Sequence, residues 1–364
     1  MEKNSRIYVA GHSGLVGSSI VRKLEAAGYS NLIFTPYPEY DLRDQMTVWD
    51  FFSAIKPDYV FLAAAKVGGI MANSAFPAEF AYYNLMIQNN IIHSSFRHCV
   101  KKLLFLGSSC IYPKHSLQPM KEEYLLTGPL EPTNEAYAIA KIAGLKLCAY
   151  YNSQYQTDYI SVMPTNLFGP GDNYNLETSH VLPALIRKFY LARCLENMDW
   201  EHLRQDLHKR PIEGTDGTAS EERILSILAK YGIIINSPRH HGTAAPSPHV
   251  TRHASLVTVS LWGTGQVYRE FMHVDDLADA LLFLMNTYSG SEHVNIGTGS
   301  DCLIIELAQL IKKLVGFTGT IAWDNTKPDG TPRKLLNVEK LDRLGWKSGI
   351  SMEEGLKMVI INYP

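Results

Sequence analysis

The sequence predicts an α/β protein with a doubly wound parallel sheet. Apolar runs of four to seven residues recur along the chain, as IYVA from Ile7, LIFT from Leu32, YVFLAAA from Tyr59, LLFLG from Leu103, YISVMP from Tyr159 and VNIG from Val294. Between these runs, apolar residues recur at helical spacing over 15–28, 46–56, 78–98, 136–155, 275–288 and 303–315. Apolar strands that alternate with helices are typical of a parallel sheet covered on both faces.

Composition and charge indicate which class of partner the protein binds. The 364 residues are 46% hydrophobic, enough for a sizeable core, and 34 Lys and Arg against 36 Asp and Glu give a net charge of −2. Because this balance provides no basic field, we expect a small-molecule partner and no nucleic acid or membrane. The opening segment MEKNSRIYVAG lacks the long apolar stretch of a signal peptide, so we expect a soluble, cytoplasmic protein.

The cysteines and histidines form no metal-binding pattern. No two cysteines make a CxxC pair, so we expect free thiols and no metal site at Cys99, Cys110, Cys148, Cys194 and Cys302. The segment 236–254 is rich in Pro, Ser, Thr and His. Its four histidines could bind a metal, but composition alone favours a mobile surface loop.

A glycine-rich turn follows the first predicted strand and opens the first predicted helix. Glycines allow a tight turn and let backbone N–H groups at a helix N-terminus approach a pyrophosphate. At the first strand–helix junction of a doubly wound chain, this GxxGxxG pattern predicts a Rossmann-type dinucleotide site. The expected contacts are Gly11, Ser13, Gly14, Leu15, Val16 and Gly17.

The second predicted strand leaves the choice of coenzyme open. An acidic residue at its end would bind the ribose 2′-hydroxyl of NAD, whereas an arginine would bind the 2′-phosphate of NADP. The strand ends in Phe34-Thr35-Pro36-Tyr37, which contains neither. Asp41 and Asp44 come later, where they could line the adenine side of the site or cap the next helix.

A Ser–Tyr–Lys set follows in the second half of the predicted sheet. Ser108 follows the fourth predicted strand, and Tyr137 and Lys141 lie four residues apart, on one face of a predicted helix. We expect the Lys141 ammonium to lower the pKa of Tyr137 and to hold the nicotinamide ribose. The Tyr137 phenol would then exchange a proton with a carbonyl or carbinol oxygen. With the glycine turn, this set predicts a reductase.

Several long strings carry a resemblance to a known family. They are AGHSGLVGS, AAAKVGGIMAN, LLFLGSSCIYPK, LEPTNEAYAIAKIAGLKLC, SVMPTNLFGPGDN, SHVLPALIRKF, WGTG, REFMHVDDLADA and KPDGTPRKLLNV. On these strings the chain resembles the extended short-chain dehydrogenase/reductases and, among them, the GDP-L-fucose synthase family. The resemblance implies 3,5-epimerisation and then NAD(P)H-dependent 4-reduction of GDP-4-keto-6-deoxy-D-mannose.

The resemblance also implies a role for each matching residue. The reductase triad falls on Ser108, Tyr137 and Lys141, and the epimerase acid–base pair on Cys110 and His180. The matching coenzyme contacts are Asp41, Lys141, Pro164, Asn166, Leu167 and His180, besides the glycine turn. The matching GDP-sugar contacts are Lys188, Trp262, Arg269 and Asp329.

Further expectations concern the domains and the assembly. We predict a dinucleotide-binding domain over 1–172, to which 270–297 returns, and a smaller α/β substrate lobe over 173–269 and 298–364. The helices 78–98 and 136–155 match those by which members of the family pair two subunits, so a homodimer is expected.

The chain departs from the family pattern in ways that keep alternatives open. Many members carry arginines for the 2′-phosphate where this chain has Ser13 and Thr35 or Tyr37, so NADP(H) is expected with NAD(H) possible. The stretch 195–255 is longer than in the shorter members. The alternatives are a 4-reductase for another nucleotide 4-keto sugar or a heptose and, more remotely, a non-enzymatic dehydrogenase-like binding protein.

Overall fold

The computed structural model describes residues 1–236, 257–327 and 329–363. The strands are β1 Ile7–Ala10, β2 Leu32–Ile33, β3 Tyr59–Leu62, β4 Lys102–Leu106, β5 Tyr159–Pro164, β6 Asn166–Phe168, β7 Ile233–Ile235, β8 Val257–Trp262, β9 Tyr268–Arg269, β10 Phe271–His273, β11 Val294–Ile296, β12 Cys302–Leu303, β13 Thr320–Asp324 and β14 Arg333–Lys334. The helices are α1 Leu15–Ala26, α2 Gln45–Ile55, α3 Ile70–Ala75, α4 Pro77–Arg97, α5 Glu135–Tyr155, α6 Val181–Glu196, α7 Trp200–Lys209, α8 Glu221–Lys230, α9 Val274–Thr287, α10 Ile304–Val315, α11 Glu339–Leu344 and α12 Met352–Ile361.

The chain divides into two compact units. Unit 1 comprises Met1–Asp172, Tyr268–Cys302 and Arg333–Gly355, and unit 2 comprises the remaining segments. The sequence-based division placed 298–364 in the second lobe, whereas Arg333–Gly355 belongs to unit 1. The reason is that backbone N–H groups of this segment bind carboxylates of unit 1. Leu336 N donates to the Glu270 carboxylate, and Gly349 N donates to the Asp276 carboxylate.

Unit 1 is built on a six-stranded parallel sheet of order β11-β5-β4-β3-β1-β2. Alternate strand residues face opposite sides. Ile7 and Val9 of β1 pack in one core with α1 and α9, and Tyr8 and Ala10 pack in the other core with α2, α4 and α5. The predicted doubly wound α/β class is therefore confirmed.

Unit 2 contains a smaller sheet and the helices of the long insert. Its strand order is β13-β8-β7, with β13 parallel and β7 antiparallel to the central β8. Helices α7 and α8 lie in the stretch 196–232, for which the sequence indicated only a charged, weakly periodic segment. The predicted loop 236–254 lies, apart from Asn236, outside the described residues. Within the described ranges, no helix has the length and apolar character needed to cross a membrane.

Candidate active site

The glycine turn in unit 1 has the backbone shape of an anion cradle. Gly11 has φ +82°, and a Cβ there would lie 2.7 Å from the Ala64 backbone. A Cβ on Gly17 would lie 2.0 Å from the Gly11 carbonyl oxygen, so both positions require glycine. Helix α1 begins after the exposed Gly14, and none of the described side chains caps it. Its free N–H groups and positive dipole end therefore fit a dinucleotide pyrophosphate.

The connection from β2 to α2 carries the side chains expected near the adenosine. Thr35 is buried and its hydroxyl hydrogen-bonds Tyr8 at 2.8 Å, whereas Tyr37 is exposed. Arg43 binds the Asp41 carboxylate through Nε at 2.8 Å and a terminal nitrogen at 2.6 Å. The side chain of Asp44 accepts from Thr47 N at 2.6 Å and so caps α2, one of the two roles expected for it.

Two elements of unit 1 place the Ser–Tyr–Lys set. Ser108 starts a short turn after β4, and Tyr137 and Lys141 lie one turn apart on α5. The buried Lys141 ammonium donates to the Leu106 carbonyl oxygen at 2.8 Å and lies 5.7 Å from the Tyr137 ring centroid. The structure thus brings the lysine, the phenol and the end of β4 together.

Burial controls the acidity of this set. It raises the pKa of the Tyr137 phenol well above its usual value, while the Ser108 hydroxyl opposes that rise by hydrogen bonding. The lowering of this pKa that was expected from Lys141 is not seen, because burial dominates the shift and Lys141 is not among the groups that cause it. Burial also lowers the pKa of the Lys141 ammonium to about 8.

Cys110 lies beside this set and is 6% exposed. Its backbone N–H donates to Ser108 Oγ at 3.4 Å, which fixes the turn that carries both side chains. Burial raises the pKa of the Cys110 thiol, and the charge of Lys334, a hydrogen bond from Ser108 and the charge of Lys141 oppose the rise. Sequence reasoning did not single out Lys334, although KPDGTPRKLLNV was among the strings that carried the resemblance.

The segment around β6 and β10 holds further expected contacts in unit 1. Pro164 ends β5, and Asn166 and Leu167 lie in β6, which pairs with β10. Asn166 Nδ2 donates to the Glu270 carbonyl oxygen at 2.7 Å. Arg269 precedes Glu270 and donates to the Tyr268 carbonyl oxygen at 2.7 Å. Asn166, which is expected on the nicotinamide side, is thus hydrogen-bonded to the residue that follows Arg269, an expected substrate contact.

The other expected residues lie in unit 2. His180 is the N-cap residue of α6, and desolvation lowers the pKa of its imidazole. Burial lowers the pKa of the Lys188 ammonium, on the same helix, to about 8. A cation with a lowered pKa is typical of functional sites, although it does not by itself identify one.

Strand β8 ends in an exposed tryptophan. Trp262 is 58% exposed, and the Lys327 ammonium lies 5.5 Å from its ring centroid. The Asp329 carboxylate accepts from Thr264 N at 2.7 Å and from Thr264 Oγ at 2.8 Å. Asp329 therefore fixes the turn that follows Trp262. Among the described residues, no group of three or more His, Cys, Asp or Glu is arranged to hold a metal ion.

Comparison with known proteins places the chain in a family. The model of the NAD dependent epimerase/dehydratase family matches residues 7–210 and 235–297. The chain belongs to that family. Within it, the chain is 49% identical to GDP-L-fucose synthase 1 of Arabidopsis thaliana, over 98% of this chain and 92% of the relative. It is 46% identical to the GDP-L-fucose synthase of Escherichia coli, over 96% of this chain and 94% of the relative.

A solved structure is also similar to this member of the epimerase/dehydratase family. A GDP-D-glycero-L-gluco-heptose synthase from Campylobacter jejuni, solved in the presence of NADPH, superposes with a TM-score of 0.85. It is 39% identical and matches 99% of this chain and 98% of that one. The resemblance drawn from the sequence motifs is confirmed.

Proposed function

We propose that this protein converts GDP-4-keto-6-deoxy-D-mannose to GDP-L-fucose by 3,5-epimerisation and then NADPH-dependent reduction at C4. The observation that carries the proposal is the cluster in unit 1 of a buried thiol, Cys110, beside the Ser108, Tyr137 and Lys141 set. A reductase needs only the phenol and lysine, whereas an additional thiol supplies a base for proton abstraction. The two GDP-L-fucose synthases, 46% and 49% identical over nearly the whole chain, support the same substrate.

Epimerisation uses the acidity of carbons next to a ketone. The C4 carbonyl flanks C3 and C5, so removing either proton sends the electron pair to the C4 oxygen as an enolate. In this proposal the Cys110 thiolate removes the proton and His180 returns one to the opposite face. The Ser108 hydroxyl hydrogen-bonds the C4 oxygen during enolate formation.

Reduction then uses the protonated phenol. When bound, a nicotinamide coenzyme would supply the hydride for C4. Because the pKa of Tyr137 is raised, its phenol keeps its proton at neutral pH and donates it to the C4 oxygen. Lys141 stabilises the phenolate that remains, and its ammonium is anchored on the Leu106 carbonyl oxygen.

The proposal assigns the remaining residues to binding. The glycine turn and Asn166 hold the coenzyme, for which NADP(H) is supported by the C. jejuni structure with NADPH. Lys188 and Arg269 would pair with the GDP pyrophosphate, Trp262 would stack on the nucleotide, and Asp329 would accept from substrate hydroxyls.

Solvent deuterium tests the proposal. Wild-type protein, substrate and NADPH in deuterated water should give GDP-L-fucose with deuterium at C3 and C5, read by NMR. Cys110→Ser and His180→Gln should lose this exchange while hydride transfer to C4 survives, because both variants keep the Tyr137 phenol as proton donor. The exposed Cys99→Ser serves as the matched thiol control. Full epimerisation at an undiminished rate by the Cys110 variant would contradict the proposed base.

A second candidate is a 4-reductase for a GDP-heptose, which the 39% identical heptose synthase favours. Such an enzyme would oxidise NADPH with a GDP-4-keto-heptose and prefer it over the 6-deoxy sugar. Comparing kcat/KM for the two substrates decides between the candidates. If neither sugar causes NADPH oxidation, both candidates are wrong.

A further inference from the structure

Glu270 is a fully buried carboxylate that backbone N–H groups of unit 1 hold in place. Its Oε1 accepts from Thr298 N at 2.6 Å and from Gly299 N at 2.8 Å. Its Oε2 accepts from Leu336 N at 3.0 Å. A buried carboxylate is tolerated where hydrogen bonds replace the water that it loses. This side chain therefore ties the loop after β11 to the residues that follow β14.

The packing around the Glu270 carboxylate leaves it no room to move. A Cβ on Gly297 would lie 2.4 Å from Oε1 and 3.0 Å from Oε2, so position 297 requires glycine. Burial raises the pKa of the carboxyl group, and the hydrogen bonds from Leu336 N and Gly299 N oppose that rise. The carboxylate is thus a fixed junction between three segments of unit 1.

The residue before Glu270 is the expected substrate contact Arg269. Arg269 ends β9, which pairs in parallel with β14 and places Arg269 opposite Lys334. The bond from Leu336 N to the Glu270 carboxylate lies just beyond this pair and closes it. The carboxylate therefore fixes the backbone from which the Arg269 side chain extends.

The expected coenzyme contact next to Glu270 is held in a different way. Asn166 Nδ2 donates to the Glu270 backbone carbonyl oxygen at 2.7 Å, and Thr165 Oγ donates to the same oxygen at 3.3 Å. Asn166 also lies opposite Phe271 in the pairing of β6 with β10. None of these bonds involves the carboxylate. A change confined to the carboxylate should therefore affect Arg269 more than Asn166.

A second carboxylate of unit 1 offers a matched comparison. Asp276 is 7% exposed, and its Oδ2 accepts from Ser348 Oγ at 2.6 Å, Gly349 N at 3.0 Å and Ile350 N at 2.9 Å. None of the residues proposed for catalysis or binding is adjacent to Asp276 in the sequence. The two carboxylates bind backbone in the same manner, but only Glu270 adjoins a proposed site residue.

We propose that Glu270 is a positioning residue whose carboxylate holds the peptide from which Arg269 binds the GDP pyrophosphate. This use of Arg269 rests on the function proposed above. Glu270 itself contacts neither substrate nor coenzyme in this proposal. Its carboxylate determines whether the guanidinium is presented in the geometry that a diphosphate needs.

Binding of GDP to the full-length protein, measured by calorimetry, tests the proposal without turnover. In Glu270→Gln, an amide oxygen that keeps the bonds to Thr298 and Gly299 leaves the amide NH₂ facing Leu336 N, donor against donor. Amide hydrogen exchange at Leu336 should then become faster than in wild type. Because small displacements of a positioned group are costly, the Kd for GDP should rise about tenfold. The Kd for NADPH should change by less than about twofold.

A double-mutant cycle shows whether Glu270 acts through Arg269. Arg269→Met removes a charged contact and should raise the Kd for GDP about tenfold or more. In that background, Glu270→Gln should change the Kd by less than about twofold, whereas independent residues would give additive effects. Additive effects overturn the proposal. An unchanged Kd for GDP in Arg269→Met overturns it as well.

Two further variants separate positioning from general loss of stability. Asp276→Asn also leaves backbone N–H groups facing an amide and should lower the free energy of unfolding, but it should leave both Kd values unchanged. Gly297→Ala displaces the Glu270 carboxylate without altering it and should reproduce the loss of GDP affinity. It replaces Glu270→Gln if circular dichroism shows that variant to be unfolded. An equal loss of GDP affinity in Asp276→Asn overturns the proposal.

Steady-state kinetics connect the binding result to the reaction. Glu270→Gln should raise KM for GDP-4-keto-6-deoxy-D-mannose and leave kcat within about twofold, because the Tyr137 and Lys141 pair is unchanged. If wild type makes no GDP-L-fucose, the proposed function is wrong, while the GDP cycle still decides the role of Glu270. An active wild type with an additive cycle refutes the role of Glu270 alone. If wild type does not bind GDP, both are wrong.

Discussion

At the scale of single residues, burial moves the acidity of Tyr137 and Lys141 in opposite directions. It raises the pKa of the phenol and lowers the pKa of the ammonium to about 8. Near pH 7 the phenol keeps its proton, the form that a general acid needs, and most of the ammonium is still charged. Tyr137 is therefore suited to donate the proton and Lys141 to stabilise the resulting phenolate, and both lie on one face of α5.

Tyr137→Phe should abolish most of the reduction and leave the fold intact. Only a hydroxyl is lost, and general acid catalysis contributes ~100- to 10,000-fold. We expect NADPH oxidation with substrate to fall by that order. The matched control is Tyr150→Phe, at an exposed position of the same helix. Undiminished oxidation by the Tyr137 variant would rule out the phenol as proton donor.

Lys141→Met should change how stability depends on pH. The folded-state pKa of about 8 lies below the ordinary 10.5, so between these values the unfolded chain binds more protons. By linkage, wild type gains stability as the pH rises through this window, whereas the variant lacks this contribution. The free energy of unfolding of wild type minus that of the variant should rise by about 3 kcal/mol between pH 8 and 10.5.

Urea denaturation at pH 8 and pH 10.5 measures this difference, since other titrating groups cancel between the two proteins. The free energy of unfolding of Lys347→Met, changed at an exposed position, should depend on pH as that of wild type does. The same pH dependence in Lys141→Met as in wild type would show that the Lys141 ammonium of wild type is not desolvated.

At the scale of elements, long periodic segments were predictable and short ones were not. The helices predicted over 15–28 and 136–155 agree with α1 and α5 to within two residues. Helices α7 and α8 were missed because each contributes few core residues, such as Leu203 and Leu207 of α7. Their N-caps, Asp199 and Ser220, were a readable signal, since each accepts from the backbone N–H three residues on.

The connection between β2 and α2 predicts loose coenzyme selectivity. Thr35 faces Tyr8 in the core, and Arg43 is already held by two bonds to Asp41. With no free arginine for the 2′-phosphate in this connection, the Kd for NADH should lie within ~100-fold of that for NADPH. Each lost charged hydrogen bond is worth roughly 1.5–3 kcal/mol. Fluorescence titration of both coenzymes measures the ratio.

Arg43→Met tests the remaining route to NADPH selectivity. The substitution should weaken the binding of NADH and NADPH by the same factor. The guanidinium is bound to Asp41 and lies 4.3 Å from the Tyr83 ring centroid, so it does not distinguish the 2′-phosphate from a hydroxyl. A selective loss of NADPH binding would mean that Arg43 leaves Asp41 to bind the phosphate.

At the scale of the whole molecule, the sequence revealed motifs but not which distant segments meet. Gly11, Tyr137 and Lys141 could be assigned because each lies in a motif with its own local chemistry. Asn295 could not, because its side chain donates to the carbonyl oxygens of Met120 and Asn337, and no local pattern relates these three residues to one another.

The exposed side of α4 and α5 predicts a homodimer. The two helices pack together in unit 1 and leave large apolar side chains uncovered, among them Tyr82, Ile139 and Tyr150. Ile139 and Tyr150 are eleven residues apart on α5 and share one face, since three helical turns separate them. Tyr150→Glu should therefore halve the mass seen by light scattering. Met46→Glu, equally exposed on α2, should leave the mass unchanged, and an unaffected Tyr150 variant would place the interface elsewhere.

The strand order of unit 1 affects how the protein is made on the ribosome. β5 ends at Pro164, and its neighbour β11 begins only at Val294. One edge of the apolar strand YISVMP therefore stays unpaired while the ribosome synthesises the intervening segment. At ~5–20 residues per second, this wait lasts roughly 6 to 26 s. An unpaired apolar edge is prone to association, so nascent chains at this stage are expected to depend on chaperones. Chains stalled before Val294 should remain open to proteolysis at β5, and release of β11 from the exit tunnel should end that sensitivity.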